Sequence, residues 1–320
     1  MNDQIRIGIS ACLMGQKVRY DGQHKHDRYL TDTLGRLVEY VPVCPEQECG
    51  LGIPREPMRL VGDPVAPRLV TTRTQIDHTE QMRAWATQRV QELEQEELCG
   101  FIFKGASPSS GMERVKVYNA KGIPNKTGVG LFAKAFMDHF PLLPTEEEGR
   151  LHDPVLRENF IERVFSLRRW RDTIAGGPRT GRLVAFHTTH KLLILSHSEK
   201  HYRDMGRLVA DAKGEELPAA FDAYEKLLMD ALRLKCTARK HVSVLQHIMG
   251  YFKKDLSTDE KQELLEIISQ FKQGSLALIV PITLLNHYVR KYNKAYLAEQ
   301  TYLRPHPIEL QLRNHALYIK

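Results

Sequence analysis

The spacing of hydrophobic positions changes period midway along the chain. Residues 5–10, Ile-Arg-Ile-Gly-Ile-Ser, alternate and are β-branched, which predicts a strand. Val41-Pro-Val43 is a short apolar run that ends at Cys44, and Gly100-Phe-Ile-Phe103 is another that empties into Lys104-Gly-Ala-Ser-Pro-Ser-Ser-Gly111. Residues 28–39 look helical, and 77–97 place Met82, Trp85, Val90 and Leu93 at helical intervals. Residues 128–139 read as a helix opened by Gly128 and Gly130, and Leu142-Leu143 as a last edge strand. Strand–loop–helix units in this order predict an α/β domain with a small, largely parallel sheet over residues 1–150. Such sheets bind ligands beyond the carboxyl ends of their strands. The loops leaving those ends, 11–22, 44–57 and 104–112, contain Cys12, Cys44, Cys49 and the serine-rich segment.

Glu146-Glu-Glu148-Gly149 reads as a junction, and Asp153-Pro154 as a helix N-cap followed by proline at the first helical position. From there the period is helical to the end, with helices expected over 155–173, 182–196, 219–235, 237–252, 258–271 and 279–298. Ser257 followed by Glu260 is a capping box. Residues 151–320 are therefore expected to form an all-α domain, without internal repeats or low-complexity segments.

Charge divides along the same line. The net +7 of the 320-residue chain resolves into 27 Lys+Arg against 19 Asp+Glu in residues 151–320, and 19 against 20 in residues 1–150. A basic excess confined to one domain suggests a polyanionic partner there. Basic residues mix with aromatics at Arg168-Arg169-Trp170-Arg171, Lys235 to His241, Phe252-Lys253-Lys254 and Tyr288-Val-Arg-Lys-Tyr292. Such clusters can contact phosphates and stack on unpaired bases, which suits RNA rather than DNA. They also suit ordinary helix faces with the aromatics turned inward.

Met1-Asn-Asp-Gln-Ile shows neither the basic nor the apolar region of a signal peptide, and Leu276 to Leu285 is too short for a membrane span. The expectation is a cytoplasmic protein with no membrane partner, where five cysteines are core residues, catalytic thiols or metal ligands rather than disulfides.

Cys44-Pro-Glu-Gln-Glu-Cys49 sets two thiols five positions apart beside carboxylates, and Cys12 follows a separate strand end. Three converging thiolates suit a soft metal. A structural zinc site would want a fourth ligand, whereas a [4Fe–4S] cluster on three cysteines leaves one iron open to a substrate atom. Cys99 and Cys236 read as core residues. Ser107, in the serine-rich loop, is a weak nucleophile without a base, and Glu46 and Glu48 are surface charges or general acid/base groups. His187, His190, His197 and His201 recur at intervals of three, seven and four, but no acidic partner completes a metal face.

Ser10-Ala-Cys12-Leu-Met-Gly15, Arg19-Tyr-Asp-Gly22, Cys44-Pro-Glu46, Pro54-Arg-Glu-Pro57 and Ser107-Pro-Ser-Ser-Gly111 together resemble the thiouracil desulfidase family. Residues 154–320, through Lys235 to Tyr251 and Leu284 to Leu303, resemble the YbgA-like domain often fused to it. The fused arrangement is similar to RudS-type tRNA 4-thiouridine desulfidases. The resemblance implies a [4Fe–4S] cluster held by three cysteines, whose fourth iron binds the substrate's sulfur, with a glutamate and a serine assisting proton transfer. By motif, Cys12 and Cys44 become ligands, Glu46 the glutamate and Ser107 the serine. Stand-alone members have Cys where this chain has Ser110, so Cys49 is the available third thiolate. The implied partners are tRNA or another thiolated RNA, and free thiouracil. The competing class is a non-catalytic RNA-binding protein whose degenerate cysteine site holds zinc or nothing.

Overall fold

The structure, a computed structural model, describes residues 4–315. The chain divides into two compact units, Met1–Asp153 and Pro154–Lys320.

The first unit contains strands β1 (Ile5–Ser10), β2 (Val38–Val43), β3 (Met58–Val61), β4 (Arg68–Thr71), β5 (Gly100–Phe103), β6 (Val115–Tyr118), β7 (Pro124–Gly128) and β8 (Thr145–Glu147). Its helices are α1 (Pro45–Glu48), α2 (Thr79–Glu94) and α3 (Leu131–His139). One sheet runs β2-β1-β5-β8 with every pair parallel. A parallel sheet is covered on both faces, which is why β1 and β5 read as continuous apolar runs. Phe101 and Phe103 pack on Phe132 and Phe136 of α3 with ring centroids 4.6–6.2 Å apart. Gly8 is needed because a Cβ there would stand 2.2 Å from the Phe101 ring. Pro42 fits inside β2 because β2 is an edge strand, where a missing N–H costs no ladder bond.

The second sheet, β4-β3-β6-β7, was not expected. Its strands are short and β7 is Pro-Asn-Lys-Thr-Gly, nearly all exposed, so no alternating apolar pattern marks it. Leu60, Leu69, Val115 and Val117 form its buried side with Met82 and Leu131. Two further expectations are corrected. Residues 28–39 give only a π-turn (Tyr29–Thr33) and a 3₁₀ turn (Leu34–Arg36) before β2 begins at Val38, because Val-Glu-Tyr-Val favours a strand. The last strand is not Leu142-Leu143 but Thr145–Glu147, inside the acidic stretch read as a junction. Those carboxylates work inside the fold: Glu146 Oε1 accepts from Arg150 Nε at 2.6 Å, and Glu147 Oε1 from the Met112 amide at 2.8 Å.

The second unit is helical: α4 (Pro154–Ile174), α5 (Thr180–His197), α6 (Glu199–Asp211), α7 (Leu217–Arg233), α8 (Ala238–Gly250), α9 (Thr258–Lys272), α10 (Ile279–Lys291) and α11 (Ala295–Ala298). Buried Trp170 meets Phe186, Phe221 and Tyr224 at 5.0–5.5 Å. The capping box at Ser257 and Glu260 forms as expected. The expected helix 279–298 is broken in two around Asn293, whose φ is +50°. Helix α6 escaped the sequence reading because among its thirteen residues only Met205 and Val209 are fully buried. Among the described residues no helix is long and apolar enough to cross a membrane.

Candidate active site

Three parallel strands end side by side, and the chemistry collects where they stop. β1 runs into Cys12, β2 into Cys44 and β5 into Lys104, and the residues after them surround one cavity of about 100 Å³. Its walls include Cys12, Cys44, Glu46, Ser107 and Ser110.

Helix α1 decides which groups face this cavity. Cys44 is its N-cap and Cys49 its C-cap. Five residues of helix rotate a side chain about 140° around the axis, so the two thiols point different ways. Cys44 joins the cavity wall, while Cys49 packs with Leu51 and Met58 against the core of the second sheet. The carboxylates separate likewise. Glu48 turns back to accept from the Cys44 amide at 2.7 Å and pairs with Arg89 at 3.1 Å. Glu46 faces the cavity, its Oε2 3.6 Å from Cys44 Sγ and 3.7 Å from Arg55 Nη2. Arg55 is itself fixed by donating to the Val18 and Gly52 carbonyls at 3.1 and 3.0 Å.

The serine loop sits opposite, clamped by the first turn of α3. The amides of Leu131, Phe132 and Ala133 donate to the carbonyls of Pro108 and Ser109 at 2.9–3.2 Å. Gly130 allows this approach, since a Cβ there would lie 2.5 Å from the Ser109 carbonyl. Ser107 Oγ accepts from the amides of Ser109 and Ser110 at 3.3 and 3.2 Å, which leaves its own proton to point at Ser109 Oγ, 3.0 Å away. Ser109 Oγ in turn donates to Glu46 Oε1 at 2.5 Å. The result is a one-way hydroxyl chain, Ser107 to Ser109 to Glu46.

Burial is the main influence on the thiols: it pushes Cys12 up to about 11 and Cys44 up to about 12, with the Glu46 charge adding to the rise. Burial also raises Cys49, to about 11. At neutral pH all three are thiols until a metal displaces their protons. A cavity walled by two thiols, a carboxylate and several hydroxyls, Ser110 among them, offers donors to a thiophilic metal.

Cys12, Cys44, Glu46 and Ser107, named from sequence, thus meet at one cavity, and Cys49 lies outside it. Ser109 and Arg55 were missed: a run of three serines does not say which hydroxyl reaches the carboxylate, and an arginine in a Pro/Gly loop looks like surface. In the helical unit, Trp170, Phe252 and Tyr288 of the basic–aromatic clusters are core residues, while Lys235, Lys253, Lys254, Arg290 and Lys291 stay exposed.

Comparison with known proteins follows the division of the fold. Residues 7–148 match the family model described as 2-thiouracil desulfurase, and residues 191–307 one described as a protein of unknown function, DUF1722. Over 158 residues the chain is 30% identical to the uncharacterized protein YbgA of Escherichia coli (strain K12), covering 49% of this chain and 94% of that protein. The chain belongs to the YbgA family and carries a 2-thiouracil desulfurase domain ahead of it. The cavity lies wholly within the desulfurase domain. A solved structure titled as the [4Fe-4S]-dependent thiouracil desulfidase TudS is 28% identical, spans 47% of this chain and 95% of its own, and has a TM-score of 0.39. The YbgA-like domain holds the whole basic excess noted above.

Proposed function

We propose that the chain is a [4Fe–4S]-dependent desulfidase that removes sulfur from a thiolated pyrimidine, with 4-thiouridine in tRNA as its substrate. The observation that carries this reading is the Glu46 carboxylate, held 2.5 Å from Ser109 Oγ and 3.6 Å from Cys44 Sγ at the edge of the parallel sheet. Cys12 and Cys44 would hold the cluster, with Ser110 rather than Cys49 in the third position. Bound there, it would supply a Lewis-acidic iron with affinity for sulfur.

The chain's own groups do the rest. Water's oxygen replaces sulfur at the pyrimidine carbon and sulfide leaves, so uridine forms with no net redox change. Glu46 takes a proton of that water and returns it to the departing sulfide, while the hydroxyls of Ser109 and Ser107 hold the carboxylate in line. Arg55 keeps a cation beside Glu46.

The RNA reading rests on the basic second half and one aromatic platform. Tyr251 is 39% exposed and stacks on Tyr296 at 5.1 Å, with Lys191 Nζ 5.0 Å over the Tyr296 ring and His247 against Tyr251. An exposed ring beside cations suits an unpaired base. The test compares sulfide release from 4-thiouridine-containing tRNA, the free nucleoside and free thiouracil. Faster turnover on tRNA, lost in Tyr251→Ala or at high salt, is the expected result. Turnover of free thiouracil alone would make the free base the substrate.

A further inference from the structure

The YbgA-like domain contains a second cluster of metal-ligating side chains, independent of the desulfidase site. A small cavity of about 20 Å³ is walled by Glu158, Glu162, His197, Cys236, His241 and His315, among others. That is room for one water or one ion. Helical cores are normally filled with aliphatic side chains, so two carboxylates, three imidazoles and a thiol around one void are an unusual concentration of ligating groups. The carboxylate oxygen of Glu162, a ring nitrogen of His197 and Cys236 Sγ all lie within 4.8 Å of one another.

Each of the three is held from behind. His197, fully buried, places Nδ1 2.6 Å from the Leu234 carbonyl, which fixes the tautomer with hydrogen on Nδ1. Its Nε2 meets no hydrogen-bond partner at good geometry and faces Glu162 Oε2 at 3.3 Å, where a bound cation would replace the ring proton. A backbone carbonyl behind the far ring nitrogen is the usual support of a metal-ligating histidine. Glu162 is steadied through its other oxygen, which accepts from Arg313 Nη2 at 2.9 Å, and Arg313 Nε also binds Glu158 at 3.1 Å. Cys236 sits in the turn between α7 and α8. Lys240 Nζ ties that turn down by donating to the His197 and Lys235 carbonyls at 2.6 and 3.0 Å, and Asn159 by donating to the Leu232 carbonyl at 2.8 Å.

We propose that Glu162, His197 and Cys236 form a binding site for a divalent cation of borderline softness, zinc above all. An oxygen, nitrogen and sulfur donor on three separate segments is a ligand set for zinc, with the void as its fourth position. Charge closes: one divalent cation, Arg313 and three anions (Glu158, Glu162 and the Cys236 thiolate) sum to neutrality. Binding releases the thiol proton, so affinity rises with pH.

The test uses the full chain. Metal content is measured in the wild type, in Cys12→Ser/Cys44→Ser, in Cys236→Ser and in His197→Gln, with zinc as the probe for proteins stripped by chelator. Expected is one zinc per chain that survives Cys12→Ser/Cys44→Ser and is lost from Cys236→Ser, together with a rise in Tm on adding zinc to the stripped wild type but not to Cys236→Ser. Iron follows the opposite pattern, so failure here and failure of the desulfidase reading are separable. Cys236 is only partly buried, in a turn, so Cys236→Ser perturbs the fold less than His197→Gln at a fully buried ring. Stripped wild type that takes up no zinc and gains no stability from it would overturn the proposal, leaving an ion network of Glu158, Arg313, Glu162 and His197. So would zinc that persists in Cys236→Ser and disappears with Cys12 and Cys44.

Discussion

Glu46 and Glu48 differ by two positions and by everything around them. Glu48 is occupied by the Cys44 amide and Arg89; Glu46 meets a hydroxyl chain and a thiol. Glu46→Gln should therefore keep its iron while turnover falls roughly 10²–10⁴-fold, the usual contribution of a general base. Ser109→Ala should lower turnover less, since water can replace a positioning hydroxyl. Glu48→Gln should chiefly reduce stability, read by thermal unfolding, because it weakens the cap of α1. An inactive Glu48→Gln beside an active Glu46→Gln would transfer the base. At the third ligand position, Ser110→Ala should lower iron content and Ser110→Cys should raise cluster stability in air, whereas Cys49→Ala should keep its iron. Loss of iron from a folded Cys49→Ala protein would return that thiol to the ligand set.

At the scale of elements, the site depends on how helix α3 meets the serine loop. Gly130→Ala pushes a methyl into the Ser109 carbonyl and so moves the hydroxyl chain away from Glu46. Its expected signature is a fall in kcat with secondary structure by circular dichroism unchanged; full activity would show that the loop position does not matter. The same elements show what a sequence discloses. The ends of β1, β2 and β5 were legible, because buried parallel strands are uniform apolar runs that stop abruptly at polar loops. So was the site they gather. The second sheet was not, because its strands are four or five residues long and one is polar on both faces. The divergence of Cys44 and Cys49 was hidden too: it depends on a single helical turn between them, where the spacing had suggested a shared loop. Cys236 looked like core because its carboxylate and imidazole partners lie far away in the chain.

At the scale of the whole molecule, the two halves answer to different conditions. His190 is buried, with Nδ1 2.9 Å from the Phe186 carbonyl and Nε2 accepting from Arg169 at 3.1 Å, so a second ring proton would face a cation. Burial, helped by Arg169, pulls it down to about 3. The unfolded chain then binds the extra proton more readily than the folded one. Stability from this histidine is fully present above about pH 6.5 and is lost as pH falls, by about 2 kcal/mol at pH 5. Urea unfolding of wild type and His190→Asn should show the pH slope reduced in the variant; equal slopes would mean the ring protonates freely in the fold. The basic second half should also give tRNA binding that weakens with salt through counterion release, and a salt-independent affinity would contradict an RNA role.

The central claim joins a cluster to a desulfurating site, and one preparation tests both. Protein purified without oxygen is assayed for iron, acid-labile sulfide and release of sulfide from 4-thiouridine. The wild type should hold about four irons and four sulfides per chain and turn over; Cys44→Ala should lose both cluster and turnover, and Glu46→Gln should lose turnover alone. Sulfide release by iron-free protein, or a full complement of iron with no release from any thiolated pyrimidine, would contradict the account.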